Sequence, residues 1–209
     1  MSVRDHVAPA LLDFLGRPME RKPPIRENRR KLLAAASGRV LEVGTGTGFN
    51  LAHYPEGVDD LTLTDELDGM LRRAERRAGE AGRRVATRTA SVESLPFEDG
   101  TFDTVVGSLL LCSVDNQDRA LAEIRRVLKP GGQYLFLEHV RSSDPRVARS
   151  QDRWEGAWRV ITMGCHPNRD TLPRIRSVFA VEELEQSELP LGPKIVRPYV
   201  LGRAIATPA

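Results

Sequence analysis

Val40-Leu41-Glu42-Val43-Gly44-Thr45-Gly46-Thr47-Gly48-Phe49-Asn50 is the stretch that decides the fold of this chain. An apolar strand runs into an acid and then into three glycines on alternate positions. Side chains there would block a ligand, so the backbone itself is offered to something small. The spacing narrows the class of ligand. A dinucleotide fingerprint places its glycines at G-x-G-x-x-G, with the pyrophosphate on the helix N-terminus behind the last one. Here that third position is Phe49, and the glycine falls one residue early, at Gly48. A Walker loop requires Gly-Lys-Ser/Thr, which is absent. An ordinary tight turn is the competing reading.

Asp65 adds a second, independent signal. It ends the apolar run Leu61-Thr62-Leu63-Thr64, about twenty residues beyond the glycines. A carboxylate at the tip of the next strand accepts both ribose hydroxyls of an adenosine. A helix N-cap is the alternative role for Asp65. Glu-x-Gly-x-Gly-x-Gly followed by such an acid is the pattern that closes over S-adenosylmethionine (SAM).

Bulk properties bound the answer. At 209 residues the chain suits one α/β domain. Hydrophobic content of 40% and charge of 29% are those of a globular protein. A net charge of +2 implies no nucleic-acid footprint. No basic aromatic stripe and no Asn/Asp-Pro-Pro-Tyr signature of amino-group DNA enzymes occurs. The two cysteines, Cys112 and Cys165, point to no disulfide framework, which fits a reducing cytoplasm. No apolar run reaches the length of a membrane span. The expected partner is therefore a small-molecule acceptor, in the cytoplasm.

Outward from the glycine loop the chain alternates. Residues 1–35 are expected to form an N-terminal helical cap, and residues 36–209 the ligand-binding domain with a helical insert at about 141–178. Val7, Ala8, Leu11, Leu12 and Leu15 fall at helical spacing. Asn28 to Ala36 is expected as the helix leading into the first strand. The basic run Arg26 to Lys31 reads as a solvated helix face; the alternative has Arg26 or Arg30 holding a carboxylate of the ligand. Strands are expected at Arg39–Val43, Asp60–Thr64, Val85–Thr89, Thr101–Gly107 and Gln133–Leu137. A short helix begins near Phe49, another carries Met70, Leu71, Ala74 and Ala78, and a third spans Asn116–Leu128 before Pro130-Gly131-Gly132. Strands near 180–189 and 195–206 close the chain. This predicts an α/β fold: a single doubly wound, mostly parallel, seven-stranded sheet with an antiparallel last pair and helices on both faces. Ligands of such sheets sit beyond the carboxyl ends of the strands. Those ends are Gly44–Gly48, Asp65–Leu67, Ser91–Glu93, Ser108–Cys112 and Glu138–Val140.

From about Leu33 to Ala206 the chain resembles the class I SAM-dependent methyltransferases. The resemblance rests on Val40–Gly48, Leu61–Asp65, Leu95-Pro96-Phe97, Phe102-Asp103 and Val127-Leu128-Lys129-Pro130-Gly131-Gly132. A narrower likeness, to the thiol S-methyltransferase-like branch, rests on Leu111-Cys112-Ser113-Val114, Asn116-Gln117, Leu137-Glu138-His139-Val140, Trp154, Trp158, Gly164-Cys165 and Val196-Arg197-Pro198 with Gly202. Quinone C-methyltransferases and phospholipid N-methyltransferases share the general motifs. The resemblance implies SAM as cofactor, with S-adenosylhomocysteine as product. It implies a cofactor site of Glu42, Gly44, Thr45, Gly46, Gly48, Asn50, Asp65, Glu66, Leu67, Ser91, Val92, Glu93, Ser108 and Leu109. Ser91 stands where many members carry an Asp for the adenine amino group. A hydroxyl accepts more weakly than a carboxylate, so packing by Leu67, Val92 and Leu109 carries more of the recognition.

Methyl transfer from a sulfonium is an in-line displacement that mainly needs alignment. A thiol titrates near 8.5, so a modest base suffices; a phenol or ring carbon demands more. His139 is the base candidate, since histidine titrates near working pH; a loop histidine held by hydrogen bonds is the other reading. Glu138 either orients it or points into the sheet. Cys112, His139, Trp154, Trp158, His166 and Tyr199 are the acceptor-site candidates, the two tryptophans sharing a helix face. Packing of the insert onto the sheet is the simpler role for them. The spacing of Cys112, His139, Cys165 and His166 matches no common zinc pattern, so no metal is expected. Thr171 reads as a helix N-cap. The function expected is methyl transfer to a small, fairly apolar acceptor, a thiol by preference. Alternatives are a quinol, phenol, natural product or lipid headgroup methylated on C, O or N, and a non-catalytic SAM-binding module.

Overall fold

In the computed structural model, described for residues 3–162 and 164–207, β1 (Arg39–Val43) sits at the centre of the molecule. It is buried on both faces from Val40 onward. Val40 and Glu42 point to one side of the sheet, Leu41 and Val43 to the other. That is why the strand reads as a continuous apolar run rather than an alternation. On one side β1 pairs with β2 (Asp60–Asp65), which pairs with β3 (Ala86–Thr89); on the other it pairs with β4 (Phe102–Ser108), and β4 with β5 (Leu128–His139). All these pairings are parallel. β6 (Ala180–Glu188) and β7 (Pro198–Ile205) are antiparallel to each other, and β7 is antiparallel to β5. The sheet order is β3-β2-β1-β4-β5-β7-β6. The chain therefore reverses its direction of travel between β1 and β4, and a crevice opens where their following loops diverge.

Helices cover both faces. α2 (Pro23–Leu33) and α3 (Asp68–Glu80) bury Leu32, Leu33, Leu71 and Ala74 against Val40, Leu61 and Leu63. α4 (Gln117–Val127) and α6 (Thr171–Val178) bury Leu121, Ile124 and Ile175 against Leu41, Phe102, Tyr134 and Phe136. Each fully buried side chain of this size is worth about 1.5–3 kcal/mol. α1 (Val3–Glu20) lies across α3. Asp13 pairs there with Arg73 and Arg77, and Arg77 stacks on Phe49 with 3.9 Å between guanidinium carbon and ring centre. α5 (Pro145–Thr162) occupies the connection from β5 to α6. The side chains of Val7, Ala8 and Leu15 lie outside the described residues.

Several local expectations change. The helix before β1 starts at Pro23, five residues earlier than expected, because a proline in the first turn gives up no needed hydrogen bond. The helix expected after Phe49 is only a 3-10 turn, Leu51–His53. α4 ends at Val127, ahead of Pro130, since Leu128 is already extended and begins β5. Asn116 caps α4, its side chain accepting from the amides of Asp118 and Arg119 at 3.1 Å each. Thr171 is not a cap: Asp170 holds that position, and the buried Thr171 hydroxyl accepts from Gln117 Nε2 at 3.1 Å. Among the described residues no helix is long and apolar enough to cross a membrane.

Candidate active site

A cavity of about 610 Å³ opens at the carboxyl ends of the parallel strands. Its floor is the loop after β1. Gly46 adopts φ +55, and a Cβ built there meets nothing within 4 Å, so this glycine faces the open cavity. Gly48 differs. Its Cβ would sit 2.8 Å from Ala74 Cα, so its role is close approach to α3, and it does not line the cavity.

Asp65 ties the first two strand ends together. One carboxylate oxygen accepts from Gly46 N at 2.9 Å, the other from Leu67 N at 3.0 Å. An ionised carboxylate has about four acceptor positions, so these two amides leave acceptor capacity on Asp65, which lines the cavity. Burial pushes the Asp65 carboxyl up, and the amides of Leu67 and Gly46 pull against that. Glu42 lies deeper, accepting from Asn50 Nδ2 at 2.9 Å and from the Tyr54 hydroxyl at 2.7 Å. Burial raises it too, opposed by those two hydrogen bonds and by Arg29.

Arg29 is the cation of this region. It is buried, forks onto both oxygens of Glu20, and donates to Asn50 Oδ1 beside Ser108. Arg26 and Arg30, the two singled out in the sequence, do not line the cavity. An arginine inside a basic run looks like any other until the helix phase is known. In the structure Arg29 is buried, while Arg26 and Arg30 are exposed.

The far wall is the loop after β4. Leu109 is held at φ +56, rare for a residue with a branched side chain, while its amide donates to Leu137 O at 2.7 Å. The turn aims three successive amides at one carboxylate. Glu138, fully buried, accepts from Leu110 at 3.0 Å, Leu111 at 2.8 Å and Cys112 at 3.0 Å. Glu138 thus holds the loop and does not orient His139. Burial drives its carboxyl well up, with the Cys112 thiol adding to the effect and the three amides opposing it.

Beyond this loop the cavity ends at Cys112, His139, Trp158 and Cys165. Cys165 Sγ lies 3.4 Å from His139 Nδ1. The neighbouring Cys165 and burial push the Cys112 thiol up, whereas Cys112 holds the Cys165 thiol down against the opposing effect of burial. Both thiols are free.

Of the residues expected in the site, Glu42, Gly44, Thr45, Gly46, Asn50, Asp65, Glu66, Leu67, Val92, Glu93, Ser108, Leu109, Cys112, His139 and Trp158 line this one cavity. Besides Gly48, four others lie elsewhere. The Ser91 hydroxyl accepts from Glu93 N at 3.3 Å and stays off the lining, its place taken by Ala90 and Val92. Trp154 is 54% exposed; only Trp158 turns inward. His166 pairs with Glu155 at 2.6 Å, and burial lowers it below the ordinary histidine range. Tyr199 is buried on β7, its hydroxyl donating to Glu185 of the neighbouring β6 at 2.7 Å. Arg26 or Arg30 gives way to Arg29. The cavity also contains Leu12 and Glu20 of α1, which composition alone did not connect to it.

Comparison with known proteins agrees with this architecture. Residues 41–136 match the model of a methyltransferase domain. The chain is 34% identical over 180 residues to the thiol S-methyltransferase TMT1A of Homo sapiens, covering 82% of this chain and 73% of the relative. It is therefore a member of the class I SAM-dependent methyltransferases. It is also 32% identical to the ubiquinone/menaquinone biosynthesis C-methyltransferase UbiE of Bordetella avium, over 74% of this chain and 68% of that one. The methyltransferase fold is shared with the N-methyltransferase NodS from Bradyrhizobium japonicum WM9, solved with S-adenosylhomocysteine, at a TM-score of 0.70 and 17% identity over 90% of each chain. The protein is an enzyme that uses SAM.

Proposed function

We propose that this methyltransferase binds SAM along the Gly44–Asn50 loop and transfers its methyl to a small, fairly apolar thiol. The observation that carries the proposal is the layout of one cavity. It has the glycine loop and Asp65 at one end, and His139 with two thiols at the other.

The residues present fit SAM. The bare Cα of Gly46 gives the main chain close access, and the Thr45 hydroxyl is buried with no hydrogen-bond partner among the described residues. The free acceptor positions of Asp65 suit two ribose hydroxyls. Leu67, Val92 and Leu109 form an apolar slot for the adenine, with the Val92 main chain at its edge and no carboxylate at position 91. Arg29, through Asn50 and Ser108, places positive charge where the amino-acid carboxylate would lie. SAM supplies an activated methyl on a sulfonium. The enzyme's own residues then align the acceptor and manage its proton. His139 is within reach of a thiol entering beside Leu110, Val114 and Trp158, and an imidazole is strong enough for a proton of that acidity.

The test is incubation with SAM and a panel of small alkyl and aryl thiols, quinols, phenols and lipid amines, read by mass spectrometry. Addition of one methyl to thiols is expected, with turnover lost and S-adenosylhomocysteine affinity retained in His139→Ala. Turnover of quinols or phenols but no thiol would overturn the acceptor assignment.

A further inference from the structure

Cys112 lies in the loop after β4, His139 ends β5 and Cys165 lies between α5 and α6. The fold nevertheless brings their two sulfurs and an imidazole nitrogen within 4.8 Å of one another. Ligands at about 2.3 Å (sulfur) and 2.0–2.1 Å (nitrogen) from a tetrahedral zinc lie roughly 3.5 Å apart. The observed 3.4 Å from Cys165 Sγ to His139 Nδ1 is that spacing. Chain spacing gave no such hint, because zinc patterns describe ligands on one hairpin or helix, whereas these sit on the rim of a sheet.

The surroundings are those of a built site. Glu138 pins the Cys112 amide at 3.0 Å, and the His166 amide donates to Cys112 O at 2.7 Å. Arg169 donates to Leu111 O at 3.0 Å and Val114 O at 2.6 Å, which places a fixed positive charge behind two sulfurs. The Trp158 indole N–H is buried, has no hydrogen-bond acceptor among the described residues and neighbours Cys165. An N–H donor at that place stabilises a sulfur that carries negative charge.

We propose that Cys112, His139 and Cys165 bind a zinc ion, with its fourth position open to the methyl-donor cavity for the acceptor thiol. Three protein ligands and one open position distinguish catalytic from structural zinc. The metal site stands by itself; the identity of its fourth ligand rests on the thiol reading. A thiol that coordinates zinc is deprotonated outright. Its proton passes to solvent rather than to His139. Its sulfur lone pair forms the new S–C bond as the methyl's bond to the sulfonium breaks, and that electron pair stays on the donor sulfur. The neutral thioether is a poorer ligand and leaves. With zinc bound His139 is a metal ligand; the base role proposed above belongs to the metal-free enzyme.

The test uses the full chain, purified under reductant and stripped with a chelator. Zn²⁺ is titrated against a competing chromophoric chelator, and Co²⁺ is used as the spectroscopic probe. One equivalent is expected, with a thiolate-to-cobalt charge-transfer band. Cys112→Ser and Cys165→Ser should each weaken zinc binding at least a hundredfold while still binding S-adenosylhomocysteine, which shows that they fold. Adding an alkyl thiol should change the cobalt spectrum. Metal binding no tighter than in the Cys112→Ser/Cys165→Ser double variant would overturn the proposal. So would a Cys112–Cys165 disulfide in place of metal, seen by mass as the loss of two hydrogens. If metal binds but no thiol is methylated, the zinc site stands and the thiol reading falls. If the stripped protein methylates thiols at an undiminished rate, the thiol reading stands and zinc activation falls.

Discussion

Gly46 and Gly48 are two residues apart in one loop, yet the structure assigns them different duties, and substituting each by alanine separates those duties. At Gly46, φ is +55 and the new methyl would meet nothing within 4 Å. The folding cost is then only the left-handed backbone penalty, about 1–2 kcal/mol. At 2–4 °C per kcal/mol for a chain of this size, Tm falls by roughly 2–8 °C. The methyl points into the cavity, and S-adenosylhomocysteine affinity should fall at least tenfold, or about 1.4 kcal/mol. At Gly48, φ is +84 and the methyl would lie 2.8 Å from both Ala74 Cα and Leu51 Cδ1. Overpacking of about 1–3 kcal/mol adds to the same backbone penalty, a total of roughly 2–5 kcal/mol. Differential scanning calorimetry measures the first quantity and isothermal titration calorimetry the second. Gly48→Ala should lose more stability, and Gly46→Ala more affinity. Wild-type affinity in Gly46→Ala, or the reverse ordering, would refute the assignment.

Three further outcomes follow from the same geometry. Glu138 is raised by burial, so the native state keeps a proton that the unfolded chain gives up above about pH 4.5. Its contribution to stability is full at low pH and fades as pH rises toward the folded value. The stability of wild type minus that of Glu138→Gln, from urea melts at pH 5 to 8, should therefore decrease with pH; a constant or rising difference contradicts it. Arg29→Gln removes a charged donor worth about 1.5–3 kcal/mol, so S-adenosylhomocysteine affinity should fall roughly ten- to a hundredfold by calorimetry. Trp158→Ala should raise the acceptor KM, whereas the exposed Trp154→Ala should leave it unchanged in steady-state assays.

What could be read in the sequence was whatever depends on neighbours along the chain. The parallel sheet followed from apolar runs separated by amphipathic helices. The end of the cavity lined by Glu42, Gly46 and Asp65 followed from the Glu42–Gly48 pattern and Asp65, because each strand's tip is adjacent in sequence to the strand that positions it. What depends on side-chain direction could not be read. Gly48 and Gly46 look alike in a motif, but one faces α3 and the other faces the cavity. Trp154 and Trp158 share a helix, yet only one turns inward. Arg29 hid among five other basic residues between Arg26 and Lys31 or nearby. Cys112, His139 and Cys165 meet only because two loops converge on the end of β5, so no spacing rule finds them.

A crystal structure of the full chain with S-adenosylhomocysteine tests the central claim most directly. The nucleoside should lie over Gly46, its two ribose hydroxyls on the Asp65 carboxylate and its sulfur turned toward His139. Density for the nucleoside elsewhere on the molecule, with the Gly46–Asp65 cleft unfilled, would contradict it.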